Sequence, residues 1–577
     1  MRKTACILAA LLLLVLPASA QRVMERTYVS TDKDVYVAGD LLWYSAFCLD
    51  AEKGTFSPVS CVAYVELHGA GAMVASGKVA LDHGRGAGRL ALPSTLPTGN
   101  YRLVAYTTQN KAERDYDYTG IASKVISVFN VLSNERLDGG VEIVEGSPVK
   151  PGMTEDKPGM TRGVMPGTDH SRHSGLDPES LDVVWQEGKL VVTNRGDQSA
   201  TMSLSVFHDD GIPSNGNPTV SDFVSGCRQV RPRPMDNAVI PEYEGEIIRG
   251  HITGFSEEMM PKLVGKFAFI STPSDKSDVY ASVIDNDGRV AFYTGNIYGN
   301  KEYICEIEGI DPSLNCFISL ESPFVGARVE PAAPLKLSPS LREPLLARSV
   351  AMQLERKFTA DTLFDLLPIA SGGLFGETEI VYPLDDYTRF TTMEEVFIEF
   401  IPEIRARRWP DGSRDIQIRL INGTEPVFSR APTLMLLDGV PVFDQQKIMD
   451  YDPLLVESIH IYPQTYYIGN RSFEGIVNFV TYKHTLPAFQ FGANVRVVDY
   501  QGVSVPMAAT GASLERQEGY PDYRQTIYWH PLLELAPGAT VTLPVKTPDY
   551  QGRFSVVAEG ISADGKPLEA HTSFVTK

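Results

Sequence analysis

Short runs rich in aromatic and β-branched residues dominate the first part of the chain. Between residues 23 and 131 they include DLLWYSAFCL, CVAYVELHG, GRLALPS and NYRLVAYTT, separated by Gly, Pro, Asp and Ser clusters. Aromatic and β-branched runs bounded by turn residues at this spacing are typical of antiparallel sandwiches. We therefore expect a β-sandwich over residues 21–135.

The same pattern returns in three later regions. LDVVWQEGKLVVTNRG predicts a hairpin and, with ATMSLSVFHDD, a partial sandwich over 181–240. EGEIIRGHITG, LVGKFAFIST, VYASVIDNDGRVAFYTG and YICEIEG predict a sandwich over 241–330, and they resemble the Ig-like regulatory sandwiches attached to carboxypeptidases. RQTIYWHPLLEL, ATVTLPV and YQGRFSVVAEGISADG predict a C-terminal sandwich over 486–577 and resemble the closing strands of a macroglobulin-type domain. The expected fold class is therefore mainly β, with a smaller α/β part.

Helical periodicity appears only after Pro334. In LREPLLARSVAMQLERKF the apolar residues at i+4 spacing predict one apolar stripe in a helical connector over 331–383: Leu346, Val350, Leu354 and Phe358. A second helix is predicted from Thr391 to Ile404, with a capping box of Thr392 and Glu395. Its apolar face holds Met393, Val396, Phe397 and Phe400. Four strand-like runs follow, so residues 384–485 are expected to form an α/β domain.

Residues 136–180 differ from everything around them. KPGMT occurs at Lys150 and again at Lys157, in a stretch of Pro, Gly, Met and polar residues without periodicity. Such a stretch buries too little apolar surface to offset the entropy of ordering, which predicts a flexible linker. His170 and His173 have a spacing compatible with metal, but on a linker two solvated histidines are the favoured interpretation. No metal site is expected.

The first twenty residues, MRKTACILAALLLLVLPASA, have the layout of a secretory signal. Arg2 and Lys3 precede an apolar run, and Ala18-Ser19-Ala20 fits a cleavage site. An uncleaved anchor is the alternative, but the apolar run is short for a membrane span. We expect an exported chain in the periplasm or associated with the outer membrane, with no transmembrane segment after cleavage.

The net charge of the chain limits the class of partner that it can bind. The formal net charge of −20 argues against nucleic acid, whose phosphates require clustered cations.

The spacing of the cysteines suggests two cross-links. In an oxidising compartment Cys48 with Cys61, and Cys305 with Cys316, are candidate disulfides. Buried free thiols are the other interpretation, and the sequence leaves both open.

Two stretches carry a resemblance to macroglobulin-type domains. STDKDVYVAGDLLWYSAF resembles the opening of such a domain, with a turn at Gly39-Asp40, and LPTGNYRLVAYT resembles its later strand. The resemblance implies seven-stranded sandwiches of the kind found in protease traps and envelope proteins. Protease-trapping members join a Cys to a Gln three residues later. Here Cys227 and Gln229 are two apart, which speaks against a thioester.

The segment from Leu384 to Lys483 resembles the plug domain of TonB-dependent outer-membrane receptors. The matching positions are the turn Asp438, Gly439, Val440, Pro441; the turn Asp452, Pro453; the strand entry at Glu457; and Gly469 and Gly475. A receptor barrel of 22 strands follows the plug in that family, and strands of about ten residues would need far more than the 94 residues after Lys483 (577 − 483). The resemblance therefore implies a plug-like module without its barrel.

No catalytic motif is present. G-x-S-x-G, H-E-x-x-H, C-x-x-C and the P-loop pattern are all missing. We expect no catalytic residue and no cofactor, and a non-enzymatic multidomain envelope protein that binds a protein or a ligand, for example an outer-membrane barrel receptor. The alternatives are an accessory ligand-binding component of TonB-dependent nutrient uptake and a macroglobulin-like protease inhibitor.

Overall fold

The structure is a computed structural model that describes residues 23–144 and 180–576, apart from 187, 232, 275–277, 312–313, 327–328, 359–366, 368–374, 376–378, 411–413, 422–426 and 511–521. The predicted signal peptide, His170 and His173 lie outside the described residues. The described chain is mainly β, as the sequence predicts.

Strands account for most of the regular structure. Those before residue 260 are β1 (Glu25–Thr31), β2 (Val35–Val37), β3 (Leu41–Asp50), β4 (Thr55–Phe56), β5 (Val62–Gly69), β6 (Ala72–Ala80), β7 (Arg85–Ala91), β8 (Gly99–Thr107), β9 (Lys124–Phe129), β10 (Val141–Ile143), β11 (Leu181–Gln186), β12 (Lys189–Asn194), β13 (Ala200–Asp209) and β14 (Ile247–Thr253). Those up to residue 430 are β15 (Phe267–Thr272), β16 (Asp278–Val283), β17 (Arg289–Tyr293), β18 (Asn300–Ile307), β19 (Phe317–Leu320), β20 (Leu335–Leu337), β21 (Ile380–Pro383), β22 (Ile404–Arg408), β23 (Arg414–Leu420) and β24 (Val427–Phe428). The last nine are β25 (Leu434–Leu437), β26 (Val440–Pro441), β27 (Val456–Ile468), β28 (Arg471–Thr481), β29 (Arg496–Gln501), β30 (Thr526–Leu535), β31 (Thr540–Pro544), β32 (Arg553–Ser562) and β33 (Pro567–Val575).

The α-helices of the described residues are short, with one exception. They are α1 (Thr108–Ala112), α2 (Val220–Cys227), α3 (Met260–Leu263), α4 (Arg342–Phe358), α5 (Met393–Phe400) and α6 (Gln445–Met449). Single 3₁₀ turns lie at Glu257–Met259, Pro339–Leu341, Leu384–Asp386 and Pro453–Leu455. None of the helices in the described part of the chain is long and apolar enough to cross a membrane.

The chain forms two compact units, and each is built from separate stretches of sequence. The first comprises Met1–Tyr243, Phe324–Leu367 and Ser504–Lys577. Its N-terminal sandwich stacks a sheet of β1, β3, β4 and β7 on a sheet ordered β2-β9-β8-β5-β6. Alternate residues of both sheets meet in one core, including Tyr36, Tyr44, Val65 and Leu103. This sandwich lies within the predicted range 21–135.

The second sandwich of the first unit joins distant parts of the sequence. One sheet has the order β11-β12-β31 and the other β30-β13-β32-β33. The boundaries predicted from sequence, a partial sandwich over 181–240 and a separate one over 486–577, thus divide strands that the structure pairs. Periodicity defines which face of a strand is buried but not which strand it pairs with, so the sequence left this pairing undefined.

The helical connector also differs in detail from the prediction. Helix α4 forms where expected, but Leu346 and Val350 of the predicted stripe are 55% and 48% exposed. The buried face instead holds Leu345, Arg348 and Met352. Arg348 is buried because its guanidinium contacts the carboxylate of Asp210 and donates to the Val35 carbonyl. A pattern search that counts Arg as polar places the buried face wrongly.

Part of the predicted linker is ordered. Strand β10 pairs in parallel with β20, so that Val141 lies opposite Leu335. Residues 141–143 therefore belong to a small sheet, and strand β20 comes from the predicted connector. Residues 145–179 of the predicted linker lie outside the described residues.

The second unit comprises Glu244–Pro323 and Pro368–Val503. Its sandwich has sheets ordered β17-β14-β19 and β16-β15-β18-β29. The outer strand β29, with Arg496 opposite Cys305, comes from beyond the predicted boundary at residue 330. Phe292, Tyr303 and Ile318 lie in its core.

The α/β part of the second unit lies between residues 380 and 484. A mixed sheet ordered β21-β27-β28-β25-β26 and a smaller sheet β22-β23-β24 share one core with helices α5 and α6. Thr392 caps α5 by accepting a hydrogen bond from the Glu395 amide at 3.3 Å, which is one half of the predicted capping box; the Glu395 carboxylate accepts from the Thr392 hydroxyl at 2.8 Å. Met393, Val396 and Phe397 are buried and Phe400 packs against the same core.

Candidate functional site

The Asp438–Pro441 turn is a buried structural junction. Asp438 is completely buried and has a positive φ of 47°, and Gly439 follows with a φ of 82°. The turn connects β25 to β26, with Leu437 opposite Val440. The Gly439 amide donates to the Asn478 side chain at 3.0 Å. Val440 and Pro441 are buried in β26.

The remaining positions of the plug-like motif also serve the backbone. Asp452 begins the 3₁₀ turn of Pro453 by accepting from the Leu454 amide at 2.9 Å. Glu457 is exposed on β27. The two glycines have positive φ values: Gly469 in the turn between β27 and β28, and Gly475 inside β28. These positions of the plug-like motif therefore form turns and strand contacts that stabilise a sheet.

The cysteines are free thiols in the described residues. Cys48, Cys305 and Cys316 are fully buried, and the half-buried Cys61 donates from its sulfur to the Tyr243 carbonyl at 2.7 Å. Burial raises the pKa of the Cys305 thiol to about 12. Neither candidate disulfide is formed.

Cys227 is not placed for thioester chemistry. It ends helix α2 and is 1% exposed, in a small core with Tyr28, Phe223 and Ile561. Burial raises the pKa of its thiol to about 12, so almost no thiolate forms at neutral pH.

The chemically richest concavity is a cavity of about 220 Å³ in the first unit, which we call the tryptophan cavity. Its lining residues come from the first 45 residues, from helix α4 and from the C-terminal segment: Lys33, Gly39, Asp40, Leu41, Trp43, Met352, Glu355, Thr510, Arg524, Gln525, Thr526 and Trp529. It has room for several waters or one small ligand.

Asp32 organises one side of the cavity. This fully buried carboxylate accepts from the ammonium of Lys33 at 2.8 Å, the hydroxyl of Tyr36 at 2.6 Å and the hydroxyl of Thr526 at 2.6 Å. It also accepts from the Trp43 amide at 3.1 Å. Because residues of β2, β3 and β30 converge on one carboxylate, Lys33 is held in place and its charge is neutralised.

Arg524 is fixed in the same way on the other side. Its guanidinium donates twice to Asp522, at 2.9 Å each, and once to the Ile527 carbonyl at 3.0 Å. Arg524 is 5% exposed. A buried bidentate ion pair of this kind is rigid, and its charge is compensated locally.

The carboxyl groups on the acidic side of the cavity have raised pKa values. Glu355 on α4 accepts from the Gln525 amide at 3.2 Å. Burial, and then the negative charge of Asp40, raises the pKa of Glu355 to about 7, against the opposing charges of Lys33 and Arg524. Burial likewise raises the pKa of Asp40. An added positive charge here would stabilise both carboxylates.

One residue that lines this cavity carries a buried polar atom without a hydrogen-bond partner among the described residues. It is Trp529, whose Nε1 is a donor. Buried polar groups in proteins are almost always paired, so an unpaired donor on a cavity residue is suited to a ligand that supplies an acceptor.

Sequence reasoning did not find this cavity. Trp43 and Trp529 lie near opposite ends of the chain, and each reads as one aromatic position in a strand. They meet because β30 belongs to the first unit, where both tryptophans form a small cluster with Met507. Only the long-range pairing of the C-terminal strands reveals the site.

The described residues contain no group of three or more His, Cys, Asp or Glu side chains placed to hold a metal ion. The arrangement in the tryptophan cavity is suited to holding a molecule by stacking, charge and hydrogen bonds.

No family model and no curated protein matches this sequence. Among solved structures, trypsin-activated alpha-2-macroglobulin from Escherichia coli aligns with 95% of this chain and 41% of its own length, at 10% identity and a TM-score of 0.22. Salmonella alpha-2-macroglobulin reacted with methylamine aligns with 96% of this chain and 39% of its own, at 10% identity and a TM-score of 0.22. A tetra-tandem repeat from the extending region of a large adhesion protein aligns with 96% of this chain and 100% of its own, at 10% identity and a TM-score of 0.13.

The chain thus spans about two fifths of the length of the two macroglobulins. TM-scores this low do not establish a shared fold.

Proposed function

We propose that this chain is an exported, non-enzymatic binding protein of a Gram-negative cell envelope, in which macroglobulin-type sandwiches and a plug-like module serve binding. Its ligand site is the tryptophan cavity. The observation that carries the proposal is the unpaired Nε1 of Trp529 on a cavity that Trp43, Asp40 and Glu355 also line. The signal-like N-terminus and the plug-like residues support the cellular setting.

The side chains that line the tryptophan cavity favour a small hydroxylated amine as the ligand. Lys33 and Arg524 are neutralised by Asp32 and Asp522, and Asp40 and Glu355 add two further carboxyl groups to the lining. Aromatic faces next to carboxylates favour a cation. The free donor of Trp529 requires an acceptor on the ligand, such as a hydroxyl.

The test is a titration of the full chain without residues 1–20, followed by intrinsic fluorescence, because two of the four tryptophans line the cavity. The probes are glucosamine, its uncharged counterpart glucose, and cyclohexylamine, which lacks the hydroxyls. We expect glucosamine to bind best, with a Kd near 1 mM or below.

Variants assign the signal to the cavity. Trp529→Phe keeps the ring and removes the donor, so we expect at least five-fold weaker binding of glucosamine. Trp185→Phe is the matched control, since Trp185 stacks on Phe574 in another part of the first unit. Equal binding of all three probes, no binding of any, or an unchanged affinity of the Trp529→Phe protein would overturn the proposal.

A ligand-binding role in TonB-dependent uptake is the second candidate, favoured by the plug-like residues and by a ligand cavity in the same chain. It predicts that an outer-membrane barrel receptor co-purifies with the full chain from envelope extracts of the native organism. Recovery of secreted proteases without a receptor would instead favour the inhibitor hypothesis.

A further inference from the structure

One segment of the second unit carries a net positive charge, whereas the chain as a whole is acidic. Between Glu403 and Arg419 the sequence contains five arginines and three acidic residues, a balance of +2, in a chain of net charge −20. Strands β22 and β23 carry these arginines in a small sheet with β24. Arginines concentrated in one sheet of an acidic protein indicate a specific anionic partner.

The strand register places the charges on one face. Arg405 lies opposite Gln417, and Arg407 opposite Asp415. Alternation along the strands puts Arg419 on the same face, opposite Phe428 of β24. Ile404, Ile416 and Ile418 occupy the other face and are buried. We call the set Arg405, Arg407, Trp409, Arg419 and Phe428 the arginine face.

Two of these guanidinium groups lie over aromatic rings. The guanidinium carbon of Arg405 lies 3.9 Å from the ring centre of Phe428, and that of Arg407 lies 4.0 Å from the ring centre of Trp409. Arg405 also donates twice to the Gln417 side chain, at 3.0 and 2.8 Å. Stacking restricts the rotamers of an arginine, which lowers the entropic cost of binding a carboxylate. On Arg405 the edge formed by Nε and Nη2 is used by Gln417, so a carboxylate would bind at the end formed by Nη1 and Nη2.

The arginine face is exposed and its charge is not neutralised from within. Arg405, Arg407 and Arg419 are exposed, and Trp409 is 40% exposed. None of the three arginines forms an ion pair with another described residue. Exposed cations stacked on aromatic rings are a feature of recognition surfaces.

The sheet also offers a strand edge. Strand β22 is terminal in the order β22-β23-β24, and it pairs with no strand but β23 among the described residues. An extended peptide that adds to such an edge repeats every two residues. Arg405 and Arg407 are two residues apart, about 7 Å along the strand, which matches carboxylates at i and i+2 of an extended peptide.

We propose that the arginine face docks an extended acidic peptide segment with carboxylates at alternate positions. The peptide pairs along β22, and its carboxylates receive bidentate hydrogen bonds from Arg405 and Arg407. This inference concerns the second unit and is independent of the ligand cavity of the first.

The test uses the full chain without residues 1–20 and two fluorescein-labelled peptides of equal composition, one alternating Val and Glu and one with three Val followed by three Glu. Fluorescence anisotropy is measured at two salt concentrations. We expect the alternating peptide to bind at least five-fold more tightly, and both affinities to fall as salt rises.

The double variant Arg405→Gln with Arg407→Gln should weaken binding of the alternating peptide at least ten-fold. Arg289→Gln with Lys262→Gln removes the same charge from exposed positions of the same unit and should change binding less than two-fold. Arg405→Lys with Arg407→Lys keeps the charge but not the planar fork, so it should lose the preference for the alternating peptide. Circular dichroism confirms that each variant is folded.

Three outcomes would overturn the inference. They are equal binding of the two peptides, equal losses in the arginine-face and control double variants, and tighter binding of a sulfated polysaccharide of matched charge than of the alternating peptide. The last result would assign the arginine face to a polyanion. Loss of glucosamine binding in the first unit would leave the inference intact.

Discussion

Asp438 and Thr481 form a buried clamp in the second unit: the Asp438 carboxylate accepts from the Thr481 amide at 2.6 Å and from its hydroxyl at 2.7 Å. The same carboxylate accepts from the Leu486 amide at 2.8 Å. Asp438 therefore joins the end of β25 to the end of β28 and to the turn that follows. Its role extends well beyond the hairpin turn that the sequence indicates.

Replacement of Asp438 by Asn should destabilise the second unit by about 3 kcal/mol, because three buried donors then face one acceptor oxygen and an amide group. Hydrogen–deuterium exchange of peptides from β25 and β28 would measure the loss of protection. Asp386→Asn, at an exposed position, is the control and should change nothing. Unchanged protection in the Asp438→Asn protein would contradict the clamp.

Gly475 should tolerate no side chain. Its φ is 83°, and a Cβ would overlap the Cδ1 atom of Ile418. Gly475→Ala should therefore lower the free energy of unfolding by about 3 kcal/mol, from backbone strain and overpacking together. Gly265 has a φ of 82° with open space around it, so Gly265→Ala isolates the strain and should lower stability by about 1 kcal/mol. Urea denaturation that gives equal losses for both would show that Ile418 is not the obstacle.

Glu355 should make the first unit less stable as pH rises. Its pKa is about 7 in the folded protein against 4.5 for the free side chain, so the folded state holds a proton that the unfolded state has released. Stability therefore falls between about pH 4.5 and pH 7 and changes little above that range. Glu355→Gln should remove this fall and gain about 2 kcal/mol at pH 8. Melting temperatures across this range test it, and parallel curves for both proteins would refute it.

Glu559 should have the opposite effect on the pH dependence of stability: it should stabilise the first unit as pH rises. Burial raises its pKa, but the ammonium of Lys124, 3.5 Å away, and the hydroxyls of Ser30 and Tyr28 outweigh burial and hold the pKa below its usual value. The stabilisation is complete above pH 4.5 and is lost as pH falls below it.

Glu559→Gln should thus destabilise the first unit at pH 7 by about 2 kcal/mol, between the values for exposed and fully buried ion pairs. Its loss of stability below pH 4.5 should be shallower than that of the wild-type protein. Acid denaturation monitored by circular dichroism measures both. An unchanged acid midpoint would argue against the Lys124 ion pair.

The thiols should remain free even after export. Burial raises the pKa values of Cys48, Cys227, Cys305 and Cys316, which suppresses the reactive thiolate. Protein purified from a periplasm without reductant should accept five alkyl groups when unfolded and at most one, on Cys61, when folded. Three or fewer groups on the unfolded chain would mean that disulfides form.

Local sequence patterns were enough to predict many of the helices and strands. The capped helix at Thr392, the hairpin at Leu181 and the strands around Trp43 follow from periodicity and turn chemistry, which act over a few residues. Helix α4 was also predictable, but its buried face was not. That face is selected by Asp210, a distant residue whose carboxylate makes burial of Arg348 favourable.

The sequence by itself determined that the chain is mainly β and where most strands begin and end, because residues that alternate between core and solvent restrict the backbone locally. Only the tertiary structure decided which strands pair, and with that the identity of the candidate site. Strand β30 completes a sheet begun by β13, and this pairing gathers Trp43, Glu355 and Trp529 around one cavity. Side-chain alternation is the same for every possible partner strand, so the choice rests on packing across the whole unit.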